Sequence, residues 1–371
     1  MAQSIERITL KGYKSIQHLE DFSLKNINIL IGANGCGKSN FVRFFYLLRQ
    51  IIDGYLARTV NLSGGADLHL FLGTKVTQAI ETEIVFGRNA YSFVLQPTVD
   101  NRLIFTDERI FYDASGRMSL SVNRSIGNGH DESKLLAQIE NNTYSKTISK
   151  YIYDSISKWV VYHFHDTSST AQVRRECSIR DNENLRADAS NLAAFLFFLL
   201  EHHFDIYKGI VDVIKLVTPF FKDFKLRVKE QRNDQFVLLE WQQEGSDYPF
   251  HPSQLSDGTL RFIALVTALM QPNPPATMLF DEPELGLHPY AIEVLANLIS
   301  QTGENTQVII STQSSQLLDN FEPDNIIVVD RHNGASSFKR LDNEQLDTWL
   351  EDYTMGELWQ KNVYGGGPTY E

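Results

Sequence analysis

The densest chemistry in the chain lies at residues 32–39, Gly-Ala-Asn-Gly-Cys-Gly-Lys-Ser. The spacing Gly32-x4-Gly37-Lys38-Ser39 is that of a Walker A phosphate loop, and each position has a mechanical reason. Glycines allow positive φ and let successive N–H groups turn toward one anion. The backbone and side chains of Asn34, Gly35, Cys36, Gly37, Lys38, Ser39 and Asn40 are therefore the expected phosphate contacts. Lys38 would reach the β- and γ-phosphates, and the Ser39 hydroxyl would ligate Mg²⁺. Cys36 fits two descriptions, a small filler or a redox sensor, and filler is preferred because no resolving cysteine neighbours it in sequence.

A second constellation is Thr277-Met278-Leu279-Phe280-Asp281-Glu282-Pro283, an apolar strand ending in two acids, as in a Walker B motif. Asp281 would hold Mg²⁺, and Glu282 would orient or deprotonate an attacking water. A third, Leu255-Ser256-Asp257-Gly258-Thr259, stands directly before an apolar, helix-forming run. Ser256 and Gly258 offer a hydroxyl and free backbone amides to an anion, although alone they read equally as a helix cap. A fourth, Val308 to Ser314, is a β-rich run ending in polar residues, with Gln313 placed to position a water or a phosphate oxygen.

These groups need elements to hold them. Residues 25–31 read as the strand feeding the loop, and 39–50 as a helix whose positive end faces the same phosphates. Residues 5–10 alternate as a half-buried strand. From 68 to 112 short alternating runs predict an antiparallel β subdomain, with a turn at 87–90. Residues 131–158 are polar with helical spacing, 159–164 are β-rich, and 191–203 and 206–217 predict helices up to Pro219. Residues 226–241 alternate as a hairpin. His163 and His165 alternate with aromatics, but no third ligand at a recognisable spacing completes a metal site.

The composition narrows the function further. With 371 residues, 42% hydrophobic and 22% charged, the chain is an ordinary globular sequence large enough for a sizeable core. No apolar run approaches the ~20 residues that cross a bilayer, so no membrane role and a cytoplasmic location are expected. The first residues lack the basic-then-apolar pattern of a signal peptide, and two cysteines make no disulfide framework. A net charge of −12 argues against the whole surface being a nucleic-acid footprint, leaving only a local basic groove for DNA.

Taken together, Gly32–Ser39, Leu255–Thr259, Asp281–Pro289 and Ser311–Ser314 resemble the ABC-type ATPases of the RecF, SMC and OLD group. The likeness is strongest to the stand-alone bacterial members, which residues 159–168 and 356–366 also resemble. The resemblance implies an α/β fold, a P-loop NTPase of ABC/SMC-head type, two-lobed, with an antiparallel β subdomain and an inserted helical lobe. The expected division is 1–165 for the first ATPase lobe, 166–275 for a mainly helical second lobe, and 276–371 for the rest of the ATPase core. No heptad-bearing insertion of SMC length is visible, and no room is seen after Tyr364 for a Toprim nuclease domain. Gly12-Tyr13-Lys14-Ser15-Ile16 resembles the entry of these proteins, where the basic residue approaches the nucleotide; Lys14 is also readable as an exposed turn lysine. Leu62-Ser63-Gly64-Gly65 spells the start of the transporter signature, but Ala66-Asp67 follows it and a glycine turn is expected. Where the group usually has a histidine this chain has Gln313, which cannot become charged, so slow turnover is implied. ATP and Mg²⁺ are the implied cofactors, and a homodimer closing as an ATP sandwich is the implied assembly. The leading function is an ATP-driven switch controlling a separately encoded nuclease or effector in DNA repair or phage defence. A RecF-like, ATP-dependent DNA-binding repair protein is the alternative, and a transporter ATPase docked on a permease the remote one.

Overall fold

The computed structural model describes residues 4–114, 122–140, 145–231 and 234–367. Its centre is a six-stranded sheet in the order β17-β16-β3-β15-β14-β8. Five strands run parallel, β8 (Trp159–Tyr162), β14 (Thr277–Asp281), β15 (Gln307–Thr312), β3 (Ile27–Ile31) and β16 (Ile326–His332). β17 (Ala335–Arg340) returns antiparallel to β16. Because β3, β15 and β14 are adjacent and parallel, the loops leaving their carboxyl ends share one edge of the sheet, where ligands of open α/β sheets gather. The phosphate loop leaves β3, Gln313 leaves β15 and Glu282 leaves β14.

The apolar runs in these strands follow from burial on both faces. Ile29, Ile31, Met278, Phe280, Val308 and Ile310 point to one face, and Leu30, Leu279 and Ile309 to the other, as the two-residue period of a strand requires. The second face receives α1 (Lys38–Ile52), whose Phe41, Phe44, Phe45 and Leu48 are buried. Burial of each such phenylalanine contributes about 2 to 3 kcal/mol. Beyond α1 lies the antiparallel sheet β2-β1-β4-β5-β6-β7, which closes the same core with Ile8, Leu10, Ile84 and Phe93. Its strands are β1 (Arg7–Tyr13), β2 (Ile16–Ser23), β4 (Ile80–Phe86), β5 (Asn89–Pro97), β6 (Leu103–Tyr112) and β7 (Val122–Gly127).

The first face is covered by α5 (Leu192–His202), α6 (Phe204–Val217), α7 (Asp257–Met270) and α8 (Pro289–Gly303), with Leu196, Leu199, Ile263, Val266 and Leu295 in the contact. Residues 62–65 end α2 (Leu56–Leu62) in a turn, where Gly64 and Gly65 take φ of +94° and +96°. The polar segment after residue 131 forms α3 (Leu135–Glu140) and α4 (Ser145–Ile156).

The hairpin expected over 226–241 is shorter than its alternation. β11 (Val228–Gln231) and β12 (Asp234–Val237) pair with each other, and β12 also pairs with β9 (Cys177–Ser178). Trp241 belongs instead to β13 (Trp241–Gln243), paired with β10 (Phe221–Phe224), because its ring stacks on Phe221 at 6.0 Å and on Phe250 at 4.9 Å. Packing of one large aromatic overrides the local alternation. The remaining helices are α9 (Ser315–Leu318), α10 (Asn343–Leu350) and α11 (Met355–Gln360). No helix among the described residues is long and apolar enough to cross a membrane. The longest have 15 residues, so no coiled-coil insertion is present among them.

Candidate functional site

The loop after β3 enters α1 through Gly37, which takes φ +117° as a left-handed N-cap without a side chain to cap the helix. The amides of the first turn are thereby left for an acceptor outside the helix. Lys38 is buried, and its ammonium donates to Gly32 O at 2.6 Å and Ala33 O at 3.2 Å. Cys36 packs under the loop with its thiol 2.7 Å from where a Cβ on Gly32 would stand, and burial pushes that thiol's pKa up. This is the environment of a filler rather than of a reactive thiolate. Asn40 donates from its side chain to Ser15 Oγ at 2.8 Å.

Ser39 and Asp281, 242 residues apart, meet with Ser39 Oγ donating to Asp281 Oδ1 at 3.2 Å. Ser311 Oγ donates to the same oxygen. Glu282 sits in the left-handed region at φ +45°, with its amide on Ser311 O at 2.8 Å. A non-glycine residue held there stores of order 1 kcal/mol or more of strain. Its carboxylate accepts a hydrogen bond from Gln313 Nε2. Glu284 is half-buried and accepts from Thr312 Oγ1 at 2.6 Å and from the Gln313 backbone amide at 3.2 Å. Desolvation raises its pKa above the ordinary carboxylate value despite those donors.

Ser256 caps α7, its hydroxyl accepting from the Thr259 amide at 3.1 Å, and its side chain is exposed. A Cβ on Gly258 would lie 2.4 Å from Gly286 O, so the start of α7 is pressed against the loop that follows Glu282. Among the described residues no hydrogen bond joins Ser256 or Gly258 to the phosphate loop of the same chain. Lys14 lies at φ +48°, half-buried, with its ammonium 5.9 Å from the Tyr13 ring. Burial, and then the charge of Arg43 on α1, lower its pKa. It stands in the turn between β1 and β2, half-buried, with its amide on His69 O at 2.9 Å, while the neighbouring Ser15 accepts from Asn40. His163 and His165 gather no metal-ligand set among the described residues.

Two buried arginines hold the elements in place and carry little signal in the sequence, because most of their partners are backbone carbonyls. Arg261 donates from Nε to Phe164 O at 3.0 Å, and from its two amino groups to Leu285 O and His165 O. It ties α7 to the loop after Glu282. Arg174 donates to Thr167 O at 2.8 Å, to Pro252 O and Leu255 O, and to Asp257 at 2.8 Å, fixing the approach to Ser256. Buried carbonyls need such donors, and a single guanidinium can satisfy several.

Residues 27–319 match the family described as "AAA domain, putative AbiEii toxin, Type IV TA system". No curated protein matches the sequence. The fold is similar to a solved SmcHead bound to the C-winged helix domain of ScpA, with a TM-score of 0.60 and 18% identity over 93% of this chain and 99% of that one. A Pyrococcus furiosus Smc head domain, solved with an extended coiled coil and bound to the C-terminal domain of ScpA, gives 0.59 and 17% over 94% and 98%. A Pyrococcus yayanosii Smc head with a coiled coil and joint gives 0.52 and 13% over 94% and 99%. At such identities the likeness is one of fold: an α/β P-loop NTPase of SMC-head type with an antiparallel sheet.

Proposed function

The chain belongs to the AbiEii-type AAA-domain family, and we propose that it is an Mg²⁺-dependent ATPase acting as a switch, closing with a second copy around ATP and reopening on hydrolysis. The observation that carries this reading is the convergence of Ser39 on Asp281 and of Gln313 on Glu282, at the carboxyl ends of three adjacent parallel strands. The donor set suits its ligands. A buried ammonium, helix N-terminal amides and a glycine loop fit a polyphosphate, and a hydroxyl beside a carboxylate supplies the hard oxygens that Mg²⁺ takes. Mg²⁺, when bound, neutralises charge on the phosphate oxygens. Lys38 would then exchange its loop carbonyls for the β- and γ-phosphates, and Ser39 and Asp281 would hold the metal. Glu282, oriented by Gln313, would accept the proton of the attacking water.

Ser256 and Gly258 serve the γ-phosphate of a partner copy in this reading, since Ser256 is exposed and makes no bond to its own loop. A protein partner is supported by the Smc heads solved with ScpA domains bound. The test is a pair of variants. Lys38→Ala should abolish ATP binding measured by calorimetry, whereas Glu282→Gln should bind ATP and accumulate as a dimer that hydrolyses only at a slow residual rate. Turnover by Glu282→Gln at the wild-type rate would remove Glu282 as the base.

A further inference from the structure

The phosphate loop is gripped from behind by two side chains of the β16–β17 hairpin, which none of the motifs includes. Arg331 donates to Gly35 O at 3.0 Å, and Ser336 Oγ donates to Cys36 O, the next carbonyl along the loop. The hairpin is itself fastened to the entry segment, with the Ser336 amide on Ser15 O at 2.7 Å and the two hydroxyls 2.7 Å apart. Each gripped carbonyl belongs to a planar trans peptide, in which C=O and N–H point to opposite sides. Holding Gly35 O and Cys36 O toward the hairpin therefore turns the amides of Cys36 and Gly37 away from it, to the side where such a loop takes its anion. The Cys36 amide makes only a long 3.3 Å bond to Ala33 O, which a charged acceptor would displace. The same arrangement explains Gly37 twice over, since besides its positive φ a Cβ there would lie 2.0 Å from Ser336 Oγ. Arg331 is exposed, and among the described residues no carboxylate pairs with it.

We propose that Arg331 and Ser336 are positioning residues for nucleotide binding, acting through the Gly35 and Cys36 carbonyls to aim two loop amides at the phosphates. The proposal rests on reading residues 32–39 as a phosphate loop. The full chain is compared with Arg331→Ala, Arg331→Lys, Ser336→Ala and Lys38→Ala by ATP and ADP calorimetry, steady-state ATPase, and hydrogen exchange of the 33–39 amides without nucleotide. Arg331→Ala should weaken ATP and ADP alike by about ten-fold, the worth of one hydrogen bond from a charged donor, and raise KM more than it lowers kcat. Loop exchange should quicken while Tm stays put, and Arg331→Lys should recover much of the affinity. Ser336→Ala should shift affinity and exchange in the same direction. A loss confined to ATP would mean that Arg331 touches the γ-phosphate directly and would overturn the carbonyl route. Unchanged affinity and exchange in both alanine variants, with Lys38→Ala still dead, would overturn the clamp alone. ATP binding by Lys38→Ala at wild-type strength would instead sink the reading of the loop and the clamp with it.

Discussion

Gln313 is the sharpest place to perturb, because its side chain and its backbone do separate jobs. The amide carbon chain carries Nε2 to the Glu282 carboxylate, while the Gln313 backbone N–H rests on Glu284 at 3.2 Å. Gln313→Leu keeps the volume and the backbone contact and removes only the donor. A hydrogen bond to a charged group is worth about 1.5 to 3 kcal/mol, which corresponds to roughly ten- to hundred-fold in rate if it is expressed in the transition state. The expected result is therefore a fall of that size in kcat, with ATP affinity by calorimetry unchanged. Because Gln313 is argued to act through Glu282, the two effects should not add: in single-turnover hydrolysis, Gln313→Leu placed on Glu282→Gln should cost little beyond Glu282→Gln alone. An undiminished kcat in Gln313→Leu, or an equal penalty on both backgrounds, refutes the reasoning.

Ser256→Arg should leave ATP binding by the isolated chain nearly intact but abolish ATP-induced dimerisation, read by light scattering. Mixing it with Lys38→Ala should restore part of the activity through one intact composite site, and monomeric wild-type hydrolysis by Ser256→Arg would reduce Ser256 to a helix cap. Gly258→Ala drives a Cβ to 2.4 Å from a backbone oxygen, so the loop after Glu282 should shift and stability fall by about 1 to 3 kcal/mol in denaturant melts. Burial first, and Lys14 second, lower the His69 pKa from 6.5 to about 4. The unfolded chain thus binds the extra proton across that window, so stability declines as pH drops through it, by up to about 3 kcal/mol. His69→Phe should flatten the Tm-against-pH slope there, and an identical slope would exclude His69 as the source.

Three of the four constellations were legible as one cluster because each is a short continuous run whose residue types have little other use together, and the structure brings the Gln313 and Asp281–Glu282 runs to the phosphate-loop edge of one sheet, whereas the Ser256 run is seen only as the cap of α7. The strands were legible too, as continuous apolar runs where both faces are buried and as alternation in the antiparallel sheet. What joins them was not. Arg174, Arg261, Arg331 and Ser336 act on carbonyl oxygens, which every residue type possesses, so no spacing reveals the pairing. Trp241 looked like the end of a hairpin because alternation records which face is buried and not which strand lies alongside.

The position of β3 has a consequence in time. This strand ends at Ile31, yet its two neighbours in the sheet begin at Gln307 and Ile326. At translation rates of roughly 5 to 20 residues per second, the nearer neighbour is made about 15 to 55 s after β3. Throughout that interval Ile29, Leu30 and Ile31 have no ladder to join, and the phosphate loop beyond them has neither the Asp281 that meets Ser39 nor the hairpin that grips its carbonyls. The nascent chain thus lacks the contacts that order its phosphate loop, and an apolar strand left exposed in this way is a natural client for a chaperone. The strands that flank β3 in the sheet are thus made in the last fifth of the chain.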